Sequence, residues 1–359
     1  MNETVKQALF EKNARIIDAV RRRAERLCPG TLDMIAVTGS FASGDYHEKS
    51  DLDLLIVIGD ASGYALSHCF ILDDVGYDLY CHTWERLEEE AAYESPYVSK
   101  LLDAQIVYCR EESHRRRFQS AAEKLRAHLA GPLTKDDYDR AVKKLHRAKQ
   151  AYFDFLAAGA DGGYAYPLYQ LMHHLECAVY LLNHAVVRHG VRGICAELAS
   201  MPSLPDAFCD LHAQLYSRTP YTELQESAMT LILNTGAWIQ SYRACVQPRA
   251  AANAECLRGS LEELVSNYQN KLLCAAASGD RYLSGMTLAS AELFLCEMAE
   301  GADIHVPVPF GSESYRDPVL AAEVFFQAKE QLAERYHACG LSVCQYEDIE
   351  AFESDYAAL

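Results

Sequence analysis

Residues Met34–Ile58 read MIAVTGSFASGDYHEKSDLDLLIVI, and the fold turns on this stretch. Met34–Val37 is a short apolar run stopped by Thr38-Gly39-Ser40. Leu52–Ile58 is richer in Leu, Ile and Val, the composition of a strand covered on both faces. The pattern predicts a strand, a Gly-Ser turn, a short helix, a polar loop and a second strand. Asp51 and Asp53 stand at the entrance of that second strand. Strand side chains alternate, so both carboxylates point to one face. Two carboxylates on a rigid edge repel each other unless a cation lies between them. Oxygen ligands with room left for phosphate oxygens suit a hard cation. Upstream, Gly39 lets a ligand approach the backbone. Ser40 opens a helical turn whose free N–H groups and hydroxyl suit a phosphate. This is equipment for phosphoryl or nucleotidyl transfer.

The stretch resembles the nucleotidyltransferase superfamily, the DNA polymerase β-like fold. The signature of that superfamily is Gly-Ser, a spacer of about ten residues, Asp-x-Asp, and a third carboxylate on a later strand. Here Gly39-Ser40, Asp51-Leu52-Asp53 and Asp78 match it. The antibiotic and minimal nucleotidyltransferases are nearest in style. The resemblance covers about the N-terminal third of the chain, and the remainder matches them only in being helical. It implies an α+β fold, with a mixed sheet and flanking helices followed by an all-α region of one or two helical bundles. It also implies transfer of a nucleoside monophosphate from an NTP, ATP in the first instance, to a hydroxyl of a small, antibiotic-like acceptor. Two Mg2+ ions would be held by Asp51, Asp53 and Asp78. Gly39 and Ser40 would seat the β and γ phosphates, and Asp78 would take the acceptor's proton. Antibiotic nucleotidyltransferases use a lysine from their helical domain on the triphosphate, which brings Lys149 forward. Two other readings stay open: an enzyme that AMPylates protein, and a nucleotide-binding regulator of antitoxin type.

Composition narrows the partners. A chain of 359 residues is long enough for two or three domains with proper cores. A formal net charge of −18 disfavours a groove for long nucleic acid, which needs a basic face. Acidity suits a cationic small substrate and is also ordinary for solubility. The 13 cysteines form no CxxC pair and read as buried, reduced thiols. That points to a reducing compartment, the cytoplasm. The N-terminus lacks the apolar core of a signal peptide. The longest uncharged stretch, Ser227–Tyr242, is too short and polar to span a bilayer.

Taken in order, Val5–Leu27 reads as an amphipathic helix with Leu9, Ile16, Ile17, Val20 and Leu27 inward and Arg21-Arg22-Arg23 outward. His68–Asp73 and Tyr77–His82 read as a hairpin around Asp74-Val75-Gly76, with Asp78, Tyr80 and His82 on one face. Thr83 caps a helix, and Gln105–Tyr108 is the last strand. Gly131-Pro132 marks a boundary, dividing a nucleotidyltransferase domain (1–131) from a helical substrate-binding domain (132–247) and a C-terminal helical region (248–359). Thr134 caps the next helix, whose buried stripe is Ala141, Leu145, Ala148, Tyr152 and Phe155. Lys149 falls inside that apolar arc, beside Val142 and Phe153. His173, His174 and Glu176 do not converge on a common point and read as polar helix positions. Tyr164, Tyr166 and Tyr169 read as core packing in preference to a cleft lining.

Overall fold

The computed structural model describes residues 3–217, 219–304 and 306–357. The apolar run after the Gly-Ser turn forms β2 (Leu54–Ile58), and all five of its residues are buried. It pairs antiparallel with β1 (Leu32–Val37), running from Val37 opposite Leu54 to Leu32 opposite Ile58. The five residues Gly39–Ser43 between them form the short helix α2. The ladder starts two residues later than the apolar pattern suggests, so Asp51 and Asp53 precede β2 instead of lying in it. Asp53 is still held in line, because its carbonyl accepts the Thr38 N–H at 2.9 Å.

Four more strands follow in this unit, and two of them flank this pair. β3 (His68–Leu72) and β4 (Val75–Leu79) form a separate two-stranded sheet. β5 (Cys81–Thr83) runs parallel to β2. β6 (Gln105–Cys109) runs antiparallel to β1, and the main sheet has the order β5-β2-β1-β6. The hairpin turn differs from the sequence expectation. Asp73 and Asp74 both take positive φ, 54° and 60°, so they form the two-residue turn and Val75 pairs with Leu72. Paired positive φ values belong to the turn type that matches strand twist, and Asp tolerates them.

Each sheet face has its own cover. Helix α1 (Glu3–Leu27) lays Leu9, Ile16, Val20 and Ala24 against Ile35, Leu54, Ile56 and Ile58. The buried line of α1 also takes in Asn13, while Leu27 is exposed and Ile17 half-buried. The spacing from Leu9 through Asn13, Ile16 and Val20 leads to Ala24, not to Leu27. The arginine triplet is not simply solvated. Arg21 stacks on the Tyr108 ring and Arg23 donates to the Ala65 carbonyl. The opposite face carries Met34, Ala36, Leu55 and Val57. Helices α3 (Trp84–Glu90), α4 (Ser99–Asp103) and α5 (Glu112–Ala130) cover it with Trp84, Leu87, Leu101, Phe118 and Leu125. Thr83 caps α3 by accepting the Arg86 N–H.

The helical region begins with α6 (Lys135–Ala158), opened by a capping box between Thr134 and Asp137. Its stripe of Ala141, Leu145, Ala148, Tyr152 and Phe155 is buried against α7 (Ala165–Leu182) and α10 (Tyr221–Ser241). Helices α8 (Gly190–Ala199) and α9 (Phe208–Leu215) complete that core through Ile194, Leu198, Phe208 and Leu215. Tyr166 and Tyr169 are exposed, contrary to the core role expected of them. Leu168, Leu171, Met172 and Leu175 take the inward side of α7 instead.

Sheet and bundle belong to one compact unit, which ends at Val246. Leu181 and Val186 pack into the core under α3–α5. Tyr93 is fully buried at φ 60°, and its hydroxyl lies 2.6 Å from the Ala185 carbonyl and 3.1 Å from that of Tyr180. Burying a Leu- or Val-sized side chain contributes about 1.5–3 kcal/mol. A chain ending at Gly131 should therefore melt at lower temperature than the full chain and bind Mg-ATP poorly. Thermal melting and calorimetry check this, and full-strength binding by the fragment would show that the helices contribute nothing to the site.

The second unit starts at Gln247. Leu261, Leu272, Leu288, Leu295, Phe325 and Leu332 fill its core, carried by helices that include Asn270–Ser278, Arg281–Gly301 and Pro318–Ala338. Asp317 caps the last of these ahead of Pro318 at its first turn. Among the described residues, no helix is long and apolar enough to cross a membrane.

Candidate active site

The site is built on one interlock. Gly39 has φ 59°, the left-handed region that favours glycine. A Cβ added there would overlap Asp53 Oδ2 and stand 2.7 Å from Asp53 Cγ. The Asp53 carboxylate thus rests directly on the bare backbone of the Gly-Ser turn. Gly44, φ 88°, ends α2 with its N–H on the Ser40 carbonyl. The loop that follows is held by Tyr46 stacked on Phe41 at 4.6 Å and by Ser50 Oγ accepting the His47 N–H. Ser40 is half-buried, and among the described residues its hydroxyl has no hydrogen-bond partner.

The electrostatics of the aspartates are unrelieved. Asp51 and Asp53 make no side-chain hydrogen bond or ion pair among the described residues. Desolvation, and then the charge of Asp51, push the Asp53 carboxyl above the ordinary carboxylate range. A carboxyl raised in this way favours any cation that reaches it. Asp78 is exposed on β4 directly opposite Cys69, whose thiol donates to Asp78 Oδ1 at 3.0 Å. Hydrogen bonding to Asp78 raises the Cys69 thiol. Tyr80 lies just beyond the end of β4, and its phenol is pushed up by burial and then by the charges of Asp53 and Glu90. Gly39 meets Asp53 directly, and the charges of Asp53 and, more weakly, Asp78 both act on Tyr80.

Behind Tyr80 lies a second polar group. His82 is fully buried, with Nε2 2.7 Å from Lys100 Nζ. Lys100 also donates to Glu90 Oε1 at 3.0 Å. Burial alone would raise the Glu90 carboxyl, but hydrogen bonds from His82 and Lys100 outweigh it and hold it low. The single strand expected over Tyr77–His82 is split, with Asp78 on β4 of the two-stranded sheet, His82 on β5 of the main sheet and Tyr80 between them. Lys100 and Glu90 join His82 only through the fold.

The helical region reaches the site by residues that sequence reasoning did not single out. His189 Nδ1 pairs with Glu197 at 2.6 Å, and its Nε2 lies 3.2 Å from Asp45. Arg192 lies 2.9 Å from His47 Nε2. Both contacts land on the loop between the Gly-Ser turn and Asp51. No local motif marks His189 or Arg192, since their partners are more than 140 residues away. Lys149, expected on the packed side of α6, is exposed. The half-buried lysine is Lys144, whose charge acts on His173 and His174 of α7. Both histidines are lowered first by burial, His174 to about 4.

Asp51, Asp53 and Asp78 offer only oxygen donors and two of them lack protein partners, but among the described residues the three do not converge within 4.8 Å of one another. That chemistry fits a hard divalent cation such as Mg2+. Among the described residues, the three side chains with donor atoms within 4.8 Å of one another are His128, Asp137 and His184, which lie elsewhere.

A family model described as a nucleotidyltransferase domain matches residues 15–123. That range holds Gly39, Ser40, Asp51, Asp53 and Asp78 and excludes the helical region. The chain is similar to the solved structure of a nucleotidyltransferase-like protein from Exiguobacterium sibiricum, with 12% identity and a TM-score of 0.35. The match covers 63% of this chain and 75% of that one. No curated protein sequence matches.

Proposed function

We propose that the chain, whose residues 15–123 match the nucleotidyltransferase domain model, is a transferase of phosphorus-containing groups that moves AMP from Mg-ATP to a hydroxyl of a small molecule. The observation that carries this reading is the interlock of Gly39 with Asp53, beside a partnerless Asp51. Backbone approach and unpaired carboxylates on adjoining segments are what a metal-bound triphosphate requires. Asp51, Asp53 and Asp78 would hold two Mg2+ ions, which when bound supply the positive charge that offsets the phosphates. Gly39 and Ser40 seat the β and γ phosphates. Asp78 takes the proton from the acceptor hydroxyl, and the acceptor's oxygen then attacks the α-phosphorus in line with departing pyrophosphate.

The acceptor sits between the sheet and the helices of residues 132–247, and domain clefts favour such sites. The net charge of −18 supports a small, antibiotic-like, cationic acceptor over long nucleic acid. Thirteen unpaired cysteines support a cytoplasmic setting. Incubation with labelled ATP and a panel of hydroxyl compounds tests the reading. Label on small molecules supports it. Label on protein favours AMPylation, and Mg-ATP binding without turnover favours a regulator of antitoxin type.

Within this reading Lys149 supplies charge to the triphosphate. It is exposed, and among the described residues its ammonium has no partner to leave. A charge-assisted phosphate contact contributes about 1.5–3 kcal/mol, so Lys149→Met should weaken Mg-ATP binding roughly ten- to a hundred-fold while keeping the fold. Unchanged affinity by calorimetry returns Lys149 to the solvated face of α6.

A further inference from the structure

Away from the candidate active site, three side chains from three elements close on one another where the sheet's last helix meets the bundle. His128 comes from the last turn of α5, Asp137 from the first turn of α6, and His184 from just beyond α7. Asp137 is fully buried. His128 Nε2 lies 2.9 Å from Asp137 Oδ1, and His184 Nε2 lies 3.1 Å from Oδ2. The donor atoms of all three fall within 4.8 Å of one another. The two rings are 5.0 Å apart, centroid to centroid.

The carboxylate does not need the imidazoles. Thr134 already donates to Oδ2 twice, from its N–H at 2.9 Å and its hydroxyl at 2.6 Å. Arg140 reaches Oδ1 at 3.3 Å and supplies the positive charge that a buried anion requires. Two imidazole nitrogens aimed at an anion that is already capped and neutralised are surplus to its hydrogen bonding. They are what a metal ion would recruit. A tetrahedral ion with bonds of about 2.0–2.2 Å holds its donors roughly 3–3.5 Å apart, so the observed N–O spacings need to open only slightly.

We propose that His128, Asp137 and His184 bind a transition-metal ion of the Zn2+ class, pinning α5 to the α6–α7 pair. Two imidazoles and one carboxylate select Zn2+, Co2+ or Fe2+ over Mg2+ and Ca2+. Three protein ligands leave a fourth position for water, and His128, a fifth exposed, gives the ion its route from solvent. This site is separate from the hard-cation site of Asp51 and Asp53 and does not depend on the nucleotidyl-transfer reading.

The test uses the full chain, stripped with chelator and titrated with Co2+. One equivalent should bind, with the visible band of a four- or five-coordinate ion and without a thiolate charge-transfer band, and Zn2+ should displace it. Losing an outer-shell partner already costs 10- to 100-fold in metal affinity, so loss of a ligand should cost more than about a hundred-fold. His128→Gln and His184→Asn should each do so, and Asn tolerates the positive φ of 48° at position 184. Melting in chelator identifies any variant that fails to fold, and the wild-type spectrum stands without the variants. A thiolate band, absence of stoichiometric binding, or unchanged affinity in folded variants would overturn the proposal.

Discussion

Asp53→Asn, and separately Asp51→Asn, should lower transfer by a factor on the order of 10³ or more while leaving the protein folded. The fold does not depend on either side chain, since among the described residues neither makes a hydrogen bond or ion pair. Asp53 carries a further expectation. Its carboxyl is raised by desolvation and by Asp51, so its ionised form opposes folding when no metal is bound. A carboxyl whose folded pKa exceeds its unfolded value, about 3.9, contributes stability that is present below that value and lost as pH rises through the folded one. In chelator, wild-type protein should lose this increment as pH rises from about 4, and Asp53→Asn should not. At neutral pH without metal the variant should melt at or above the wild-type temperature. Melting curves across pH, with and without Mg2+, check both halves. Retained activity in either variant would remove the aspartates from the site.

Gly39→Ala should cost at least about a hundred-fold in kcat/KM, through geometry in place of charge. Two penalties meet at this position. A side chain at φ 59° costs about 1–2 kcal/mol. The added Cβ also overlaps the Asp53 carboxylate, which must move off the turn. Gly44→Ala separates the two effects. Gly44 shares the positive φ, at 88°, but a Cβ there meets no atom within 4 Å. It should lose about 1–2 kcal/mol of stability and keep activity within a few-fold. Steady-state kinetics on the pair, read beside their melting temperatures, distinguish displacement of Asp53 from backbone strain. Equal activities would show that the interlock does not matter.

What the sequence made legible was local. Gly39, Ser40, Asp51 and Asp53 fall within fifteen residues, and β2 is buried on both faces as its composition implies. Thr83 and Thr134 cap their helices because a cap depends on residues three positions away. Features set by neighbours distant in sequence were misread or missed. The hairpin turns at Asp73-Asp74 because Val75 is needed opposite Leu72, a pairing that Gly76 obscured. Lys149 lies near the edge of the apolar arc of α6, and periodicity alone did not show that Lys144 is the more covered lysine. Tyr166 and Tyr169 carry aromatic rings into solvent although their composition suggested core. His189, Arg192 and the His128–Asp137–His184 group gain meaning only when elements meet.

Tyr93 bears on how such a chain can be inherited. Its hydroxyl is satisfied by the carbonyls of Tyr180 and Ala185, on the far side of the division at residue 131. A gene fusion that kept the catalytic segment and exchanged the helical one would strand a buried phenol unless the new partner offered carbonyls at the same place. Shuffling therefore meets resistance at residue 131, in the middle of the first unit. It meets none from this tyrosine at Val246, where that unit ends. Exchange of whole segments is expected at the later joint, where this tyrosine imposes no constraint.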